Sequence, residues 1–248
     1  MSNHVPSRRQ LLQQLVLGPA LLGAVPCVTG LSRLFAEELA PTAKLMEGPF
    51  YPDKLPLDTD NDLLIINDSL TAAVGEITHL SGKILQANGE PIRNAFVEIW
   101  QVDNNGVYLH SGDDRIRARR DANFQGYGRF LTNAKGEYYF RTIKPVPYTG
   151  RTAHIHFGIS RNGRRVYTTQ LFIKGHPLNE KDGLFNQLRS EQARESVSVD
   201  FNPMPESKIG ELAANFNIVM GVTPNEQEDG PIRGGIGKPE AGGRPPRR

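Results

Sequence analysis

The chain has 248 residues, of which 38% are hydrophobic and 23% charged, a composition typical of one globular domain with extended ends. Its formal net charge is +2, and its basic residues are spread among acidic ones, so no sequence signature of nucleic-acid binding stands out. The single cysteine excludes an intramolecular disulfide framework and a cysteine-rich zinc site.

In residues 1–36, charged residues are followed by an apolar run, as in a targeting peptide. Arg8 and Arg9 precede an apolar run that extends roughly to Leu31. Paired arginines in this position resemble a twin-arginine signal, which exports proteins after they have folded. An uncleaved signal that anchors the protein in the membrane is the alternative, because the run approaches the ~20 residues needed to span a bilayer. Glutamines and prolines within the run favour export, so we expect a periplasmic protein.

Residues 37–74 are predicted to form an extended arm, because "LMEGPFYPDKLPLDTDNDLLI" is rich in proline and aspartate. Residues 75–222 then contain short segments with strand character, separated by turn sequences such as Asn-Gly and Lys-Gly. The predicted strands lie in GEITHLSGKILQA, NAFVEIWQV, GYGRFLT, EYYFRTI, TAHIHFGIS, RVYTTQLFI and ANFNIVMGV. Helical periodicity is convincing only in LFNQLRSEQARES.

Many short strands joined by tight turns predict an all-β domain over residues 75–222, an antiparallel β-sandwich with long loops. Residues 223–248 lack apolar side chains to bury, and we predict a disordered tail there.

The strand TAHIHFGIS carries two of the six histidines of the chain. Because side chains alternate along a strand, His154 and His156 face one side, while Ile155 and Phe157 face the other. Two imidazoles roughly 7 Å apart along a strand can converge on one ion. Neutral imidazole is a common ligand for zinc, copper and iron. The pair by itself does not decide between a metal site and ordinary polar packing.

Tyr108 and Tyr148 are further candidates, since each lies in a loop after a strand and a turn, where functional residues concentrate. A tyrosine is otherwise a core or interface residue, so position alone does not assign a role to either one. The remaining histidines lie in sequence segments that show no relation to this candidate site: His4, His79, His110 and His176.

Five segments follow one another along residues 48–179: GPFYPD, GEPIRNAFVEIWQVDNNGVYLH, GYGRFLTNAKGEYYFRTIKPVPY, GRTAHIHFGIS and TTQLFIKGHPLN. In this order they resemble the intradiol ring-cleavage dioxygenases, the family of protocatechuate 3,4-dioxygenase and catechol 1,2-dioxygenase. The combination of VEIWQVDNNGVY with RTAHIH is the most specific part. The resemblance implies a non-haem Fe(III) held by Tyr108, Tyr148, His154 and His156.

The chemistry that the resemblance implies suits these ligands. Ferric iron is a hard cation and phenolate a hard anionic donor, so coordination favours deprotonation of a tyrosine that is otherwise neutral at pH 7. Two tyrosinates and a hydroxide balance the three positive charges. In the family a catechol binds through both oxygens and passes protons to the hydroxide and to a departing tyrosinate, which maps to Tyr148. Reaction with O2 then opens the ring between the two hydroxyl carbons and gives a cis,cis-muconate-type diacid.

Two further positions map onto the family pattern. Arg151 corresponds to an arginine whose charge stabilises electron density that develops on the substrate ring. Gln170 corresponds to a polar residue near the iron-bound ligands. A solvated loop arginine and an outward-facing strand glutamine are the alternatives. The segment from Tyr148 to His154 is shorter than in the catechol and protocatechuate enzymes, so their substrates do not transfer to this chain.

Two other functions remain open from the sequence. One is a transthyretin-like β-sandwich that binds a metal or ligand without dioxygenase turnover, and the other is a zinc or copper protein that uses the histidine pair. The expected partners are a catechol-type small molecule and O2, with no nucleic acid, and a homo-oligomer is compatible with the sequence.

Overall fold

The computed structural model describes residues 38–67, 69–113, 119–221 and 235–239 of the chain. The predicted signal segment, residues 1–36, lies outside the described residues, as does most of the predicted tail. Within the described ranges, no helix has the length and apolar character needed to cross a membrane.

The described part of the chain is built mainly from strands. The first five are β1 (Ile77–Gln86), β2 (Phe96–Trp100), β3 (Tyr127–Leu131), β4 (Glu137–Ile143) and β5 (His154–Arg161). The next five are β6 (Arg164–Ile173), β7 (Ser198–Val199), β8 (Phe201–Pro203), β9 (Leu212–Asn215) and β10 (Ile218–Met220). Between β6 and β7 lie two 3-10 turns, Asn179–Lys181 and Phe185–Gln187, and the short helix α1 (Glu191–Glu195).

The strands form two five-stranded sheets. One sheet has the order β3-β2-β5-β6-β7, and in the other β1 pairs with β4, β9 and β10, while β8 pairs with β9. Side chains from both sheets fill the space between them, with Leu80 and Phe140 from one sheet against Ile99 and Phe157 from the other. The predicted all-β sandwich is confirmed.

Three strand pairs are parallel, so both sheets are mixed, where the sequence predicts antiparallel pairing. The pairs are β1 with β9, β1 with β10, and β6 with β7. Parallel pairing requires a long connection, and a long stretch of chain separates the members of each pair. The predicted strand ANFNIVMGV is divided into β9 and β10, because Asn217 Oδ1 accepts the Lys83 N–H of β1 at 2.9 Å in place of a backbone carbonyl.

The helical segment is shorter than LFNQLRSEQARES predicts. Ser190 has an extended backbone, with φ of −101° and ψ of 148°, and its Oγ accepts the Ala193 N–H at 3.1 Å. This is an N-cap, which starts a helix at the following residue and cannot lie inside one. The cap therefore starts α1 at Glu191, and the helix ends at Glu195.

The arm, residues 38–67 and 69–74, consists of turns, bends and irregular segments, with no helix or strand among its described residues. It is nevertheless packed closely on the sandwich. Leu63 and Leu64 are fully buried in the core between the sheets. Phe50 and Tyr51 belong to a second aromatic cluster with Trp100 of β2. The arm thus contributes to the core and also covers the outer face of the sheet that contains β2 and β5.

A short segment near the C-terminus, residues 235–239, also contacts that face. Two backbone hydrogen bonds of 3.0 and 2.8 Å join Gly235 and Lys238. The Gly237 N–H donates to the buried Glu98 carboxylate at 2.9 Å, and a Cβ at this glycine would lie 2.8 Å from Leu55 of the arm. Most of the tail for which disorder was predicted lies outside the described residues, whereas residues 235–239 contact Glu98 and the arm.

Candidate metal centre

β5 presents two histidines on its outer face. Ile155 and Phe157 point into the core between the sheets, so the alternation of a strand turns His154 and His156 the other way. The Nε2 atoms of the two imidazoles lie 3.2 Å apart. Both histidines are almost fully buried, at 1% and 2% exposure. The strand therefore brings the rings together, as the spacing of the two residues predicts.

The arm and Trp100 close the space around the histidines. The indole of Trp100 stacks on the His156 imidazole, with ring centres 5.0 Å apart and planes inclined by 9°. Gly48 has a φ of 78°, and a Cβ at this position would lie 3.4 Å from Cε1 of His156. A glycine permits both this backbone conformation and the close approach of the arm. Both faces of β5 are consequently shielded from water.

The loop after β2 directs Tyr108 toward the histidines. The Asp103 carboxylate accepts the N–H groups of Asn105 and Val107 at 2.9 and 3.0 Å, which closes a tight turn. The Tyr108 N–H then donates to Asp113 Oδ2 at 2.9 Å. Two carboxylates thus fix the backbone up to and including the N–H of the tyrosine.

The Tyr108 hydroxyl meets both imidazoles. Its oxygen lies 3.1 Å from Nε2 of His154 and 2.9 Å from Nε2 of His156. Ligand atoms about 2.1 Å from one ion, and roughly at right angles to each other, are about 3 Å apart. The spacing of the three atoms therefore fits a common metal ion.

The protonation of His154 also suits a ligand. Its Nδ1 lies 2.6 Å from the Thr152 carbonyl oxygen, which can only accept, so Nδ1 carries the proton and Nε2 has a free lone pair. Burial lowers the pKa of His154 to about 3 and holds the pKa of His156 well below its ordinary value. Both rings are therefore neutral at pH 7, as metal ligands must be. Nδ1 of His156 has no hydrogen-bond partner among the described residues.

Tyr108 behaves differently from the histidines. Burial, followed by the neighbouring Tyr148, raises the pKa of Tyr108 well above its ordinary value. In this dry position a phenolate forms only if a cation compensates its charge. A trivalent metal ion would supply that compensation. These donors therefore suit a bound hard cation better than a group of polar side chains that binds no ion.

Tyr148 approaches from the opposite loop. It begins a four-residue turn that ends at Arg151, with Gly150 at a φ of 81° and an N–H···O bond of 2.9 Å from Arg151 to the Tyr148 carbonyl. Its ring centre lies 5.3 Å from that of Tyr108 and 5.6 Å from that of His154. Burial raises the pKa of Tyr148, and the Arg151 guanidinium acts against this rise. Unlike Tyr108, Tyr148 is partly exposed.

Arg151 and Gln170 are joined to each other. The Arg151 guanidinium donates from Nε to Asp182 Oδ2 at 2.8 Å and from Nη2 to Gln170 Oε1 at 2.7 Å. Gln170 lies opposite His156 in the β5–β6 register, and its Nε2 donates to the Met46 carbonyl at 2.9 Å. Gln170 therefore connects Arg151 to the arm beside the candidate ligands.

A cavity of about 220 Å³ opens beside Tyr148 and Arg151. Leu178, Lys181 and Asp182 contribute to its walls. An apolar cavity of about 150 Å³ is enough to hold benzene, so this one is large enough for a single substituted aromatic ring.

Two residues of this region were not identified from the sequence. Phe50 of the arm stacks on Tyr108, with ring centres 5.0 Å apart, and lies edge-on to Tyr148 at 6.5 Å. Asp182 holds Arg151. The segment GPFYPD contains Phe50 and contributed to the resemblance, and it could have drawn attention to this residue. No pattern in the sequence distinguishes Asp182 from the other acidic loop residues.

The sequence that forms this β-sandwich and its site matches the model of a known family. The family model described as "Dioxygenase" covers residues 46–220 of this chain. Curated relatives of the chain are named protocatechuate 3,4-dioxygenase, catechol 1,2-dioxygenase and intradiol ring-cleavage dioxygenase. The chain belongs to the intradiol ring-cleavage dioxygenases.

Individual relatives are similar over the same region. The chain is 36% identical over 156 residues to the protocatechuate 3,4-dioxygenase beta chain of Burkholderia cepacia, covering 59% of this chain and 65% of that one. It is 31% identical over 155 residues to catechol 1,2-dioxygenase 1 of Acinetobacter lwoffii, covering 55% and 48% respectively. The chain thus spans between about half and two thirds of the length of these relatives.

A solved structure has the same architecture. It is the dioxygenase domain of a dioxygenase carbohydrate-binding protein fusion from Streptomyces sp. SirexAA-E, with a TM-score of 0.55 and 28% identity. The match covers 74% of this chain and 99% of that domain.

Proposed function

We propose that the protein is a non-haem Fe(III) intradiol dioxygenase that opens the ring of a catecholic compound between its two hydroxyl carbons. O2 is the co-substrate, and the product is a cis,cis-muconate-type diacid. The main support is the meeting of the Tyr108 oxygen with Nε2 of both His154 and His156 in a buried site. The family match favours an enzyme over a transthyretin-like binding module.

Four side chains would hold the ion: Tyr108, Tyr148, His154 and His156. Bound ferric iron would supply a Lewis acid for the two catechol oxygens and make the ring reactive toward O2. The neutral imidazoles provide lone pairs without adding charge, and the phenolates provide the negative charge that a trivalent cation requires.

Tyr148 is the candidate base in this proposal. It is more exposed than Tyr108, and it lines the cavity in which an aromatic ring fits. Its phenolate oxygen can therefore take a proton from a catechol hydroxyl at the open side of the site. Arg151 lines the same cavity and would place a fixed positive charge close to the aromatic ring of a bound catechol.

We expect the purified protein, loaded with ferric iron, to bind about one iron per chain and to become red-brown through tyrosinate-to-iron charge transfer. An oxygen electrode should then record O2 uptake with members of a panel of substituted catechols. A zinc protein would have no visible band, and a binding module would change colour with a catechol without consuming O2. An iron-loaded protein with no tyrosinate band would contradict the proposed ligands.

We further propose export by the twin-arginine route, on the basis of SRRQLL and the apolar run that follows it. Export after folding would suit this site, because its candidate ligands are far apart in the sequence and meet only in the folded chain. The double variant Arg8→Lys with Arg9→Lys should remain in the cytoplasm of a bacterial host, as measured by cell fractionation. Arg33→Lys, outside the pair, is the control and should be exported normally. An unchanged periplasmic yield of the double variant would rule out this route.

A further inference from the structure

Asp182 is a buried carboxylate beside the candidate metal centre. It lies between the two 3-10 turns of the loop after β6, and its side chain has 0% exposure. Removing a carboxylate from water is costly unless its oxygens are paired and hydrogen-bonded. The groups that pair with the Asp182 carboxylate therefore indicate which parts of the structure its charge stabilises.

The two carboxylate oxygens have different partners. Oδ1 accepts the N–H groups of Leu184 and Phe185 at 2.9 and 3.0 Å, which anchors the loop to itself. Oδ2 accepts Nε–H of Arg151 at 2.8 Å and the Thr152 N–H at 2.9 Å. One oxygen thus stabilises the loop, and the other holds the two residues that lead into β5.

The Oδ2 contacts extend to the candidate ligands. Thr152, whose N–H is held by Asp182, presents the carbonyl that accepts Nδ1–H of His154 at 2.6 Å. Arg151 is held at its Nε by Asp182 and at its Nη2 by Gln170, so its guanidinium is fixed at two points beside Tyr148. A charge-assisted bond of this kind is strong and directional.

We propose that Asp182 is a positioning residue that fixes the Arg151 guanidinium toward the cavity beside Tyr148 and, through Thr152, the ring orientation of His154. Its effect on turnover rests on the proposed function, whereas its effect on Arg151 does not. The competing explanation is that Asp182 only anchors its own loop through Oδ1.

Asp182→Asn separates the two explanations. The asparagine carbonyl can still accept from Leu184 and Phe185, which keeps the loop anchored. Its amide group then replaces Oδ2 and places a donor against the Arg151 and Thr152 donors, so the contacts on that side are lost. The substitution is nearly isosteric, and no volume change complicates the comparison.

The first measurement uses iron-free protein and hydrogen exchange of arginine Nε–H groups observed by NMR. The Arg151 signal is assigned by its absence in Arg151→Lys. We expect slow exchange in the wild type and fast exchange in Asp182→Asn. Ser190→Ala removes the cap of α1 in the same loop and should leave the signal unchanged. Slow exchange of this signal in Asp182→Asn would overturn the proposal.

The second measurement uses iron-loaded protein and a catechol that the wild type turns over. Asp182→Asn should lower kcat about 10²-fold, as expected when a preorganised charge is displaced. Because Asp182 acts largely through Arg151, the double variant Asp182→Asn with Arg151→Ala should lose much less than the product of the two single losses, and the part that remains comes through Thr152 and His154. Fully additive losses would overturn the proposal.

Arg151→Lys covers the case in which Asp182→Asn does not fold. It keeps the positive charge but lacks the planar group that bonds Asp182 and Gln170 together. We expect kcat to fall substantially, and a wild-type kcat would show that the fixed orientation is unnecessary. Wild-type protein without any turnover would contradict the proposed function, while the exchange measurement would still test the role of Asp182.

Discussion

His154→Ala is expected to abolish stable iron binding and, with it, the tyrosinate colour and ring cleavage. The Nε2 lone pair of His154 is directed into the site by the bond from its Nδ1 to the Thr152 carbonyl, and water has little access to replace it. Loss of a partner outside the metal shell typically costs 10–100-fold in metal affinity, so loss of a ligand should cost more than about 100-fold. Iron per chain after dialysis, measured by elemental analysis, tests this result.

The matched control is His79→Ala. His79 lies on β1 and contacts Tyr139 and Glu211, well separated in sequence from the candidate ligands. This variant should bind iron as the wild type does. If His154→Ala also retained wild-type iron content and colour, His154 would not be a ligand.

Arg151→Ala should bind iron, keep its colour and still shift its spectrum when a catechol is added, but turn over about 10²–10³-fold more slowly. This is the range seen when one preorganised group is removed from a site where charge develops. The guanidinium bonds to Asp182 and Gln170 and lines the cavity. Among the candidate ligands it counteracts the raised pKa of Tyr148, and Tyr108, His154 and His156 should still hold iron when it is removed. Single-turnover O2 consumption by the iron-loaded, catechol-bound variant measures the loss directly.

Arg141→Ala is the control for loss of a positive charge. Arg141 pairs with Asp62 of the arm at 2.9 Å and lies on β4 in the other sheet. Its removal should leave single-turnover rates unchanged. Wild-type rates in Arg151→Ala as well would identify Arg151 as an ordinary loop arginine.

Local sequence patterns were sufficient to predict the parts of the fold that depend on neighbouring residues. Alternation along TAHIHFGIS placed Ile155 and Phe157 in the core and both histidines on the other face, because a strand has a period of two. The turn sequences separated most strands correctly. Periodicity alone left the use of the histidine face open. Loop position made Tyr108 and Tyr148 candidates, and only the resemblance gave them a role as ligands.

The features that the sequence did not predict depend on contacts between distant residues. The pairing of β1 with β9 joins segments more than 100 positions apart. Nothing in either segment indicates whether the two strands pair parallel or antiparallel. Asp182 acquires its role from Arg151 and Thr152, which are about 30 positions away. Residues 235–239 have few apolar side chains, and their packing depends on the buried Glu98 carboxylate.

Resonance Raman spectroscopy of the iron-loaded protein, excited within the visible charge-transfer band, tests the proposed metal centre most directly. We predict iron–tyrosinate vibrations from two phenolates in the wild type and from one in Tyr148→Phe, with the Tyr108 set retained. Absence of tyrosinate vibrations in the wild type, or an unchanged spectrum in Tyr148→Phe, would contradict the assignment of Tyr108, Tyr148, His154 and His156 as the ligands of Fe(III).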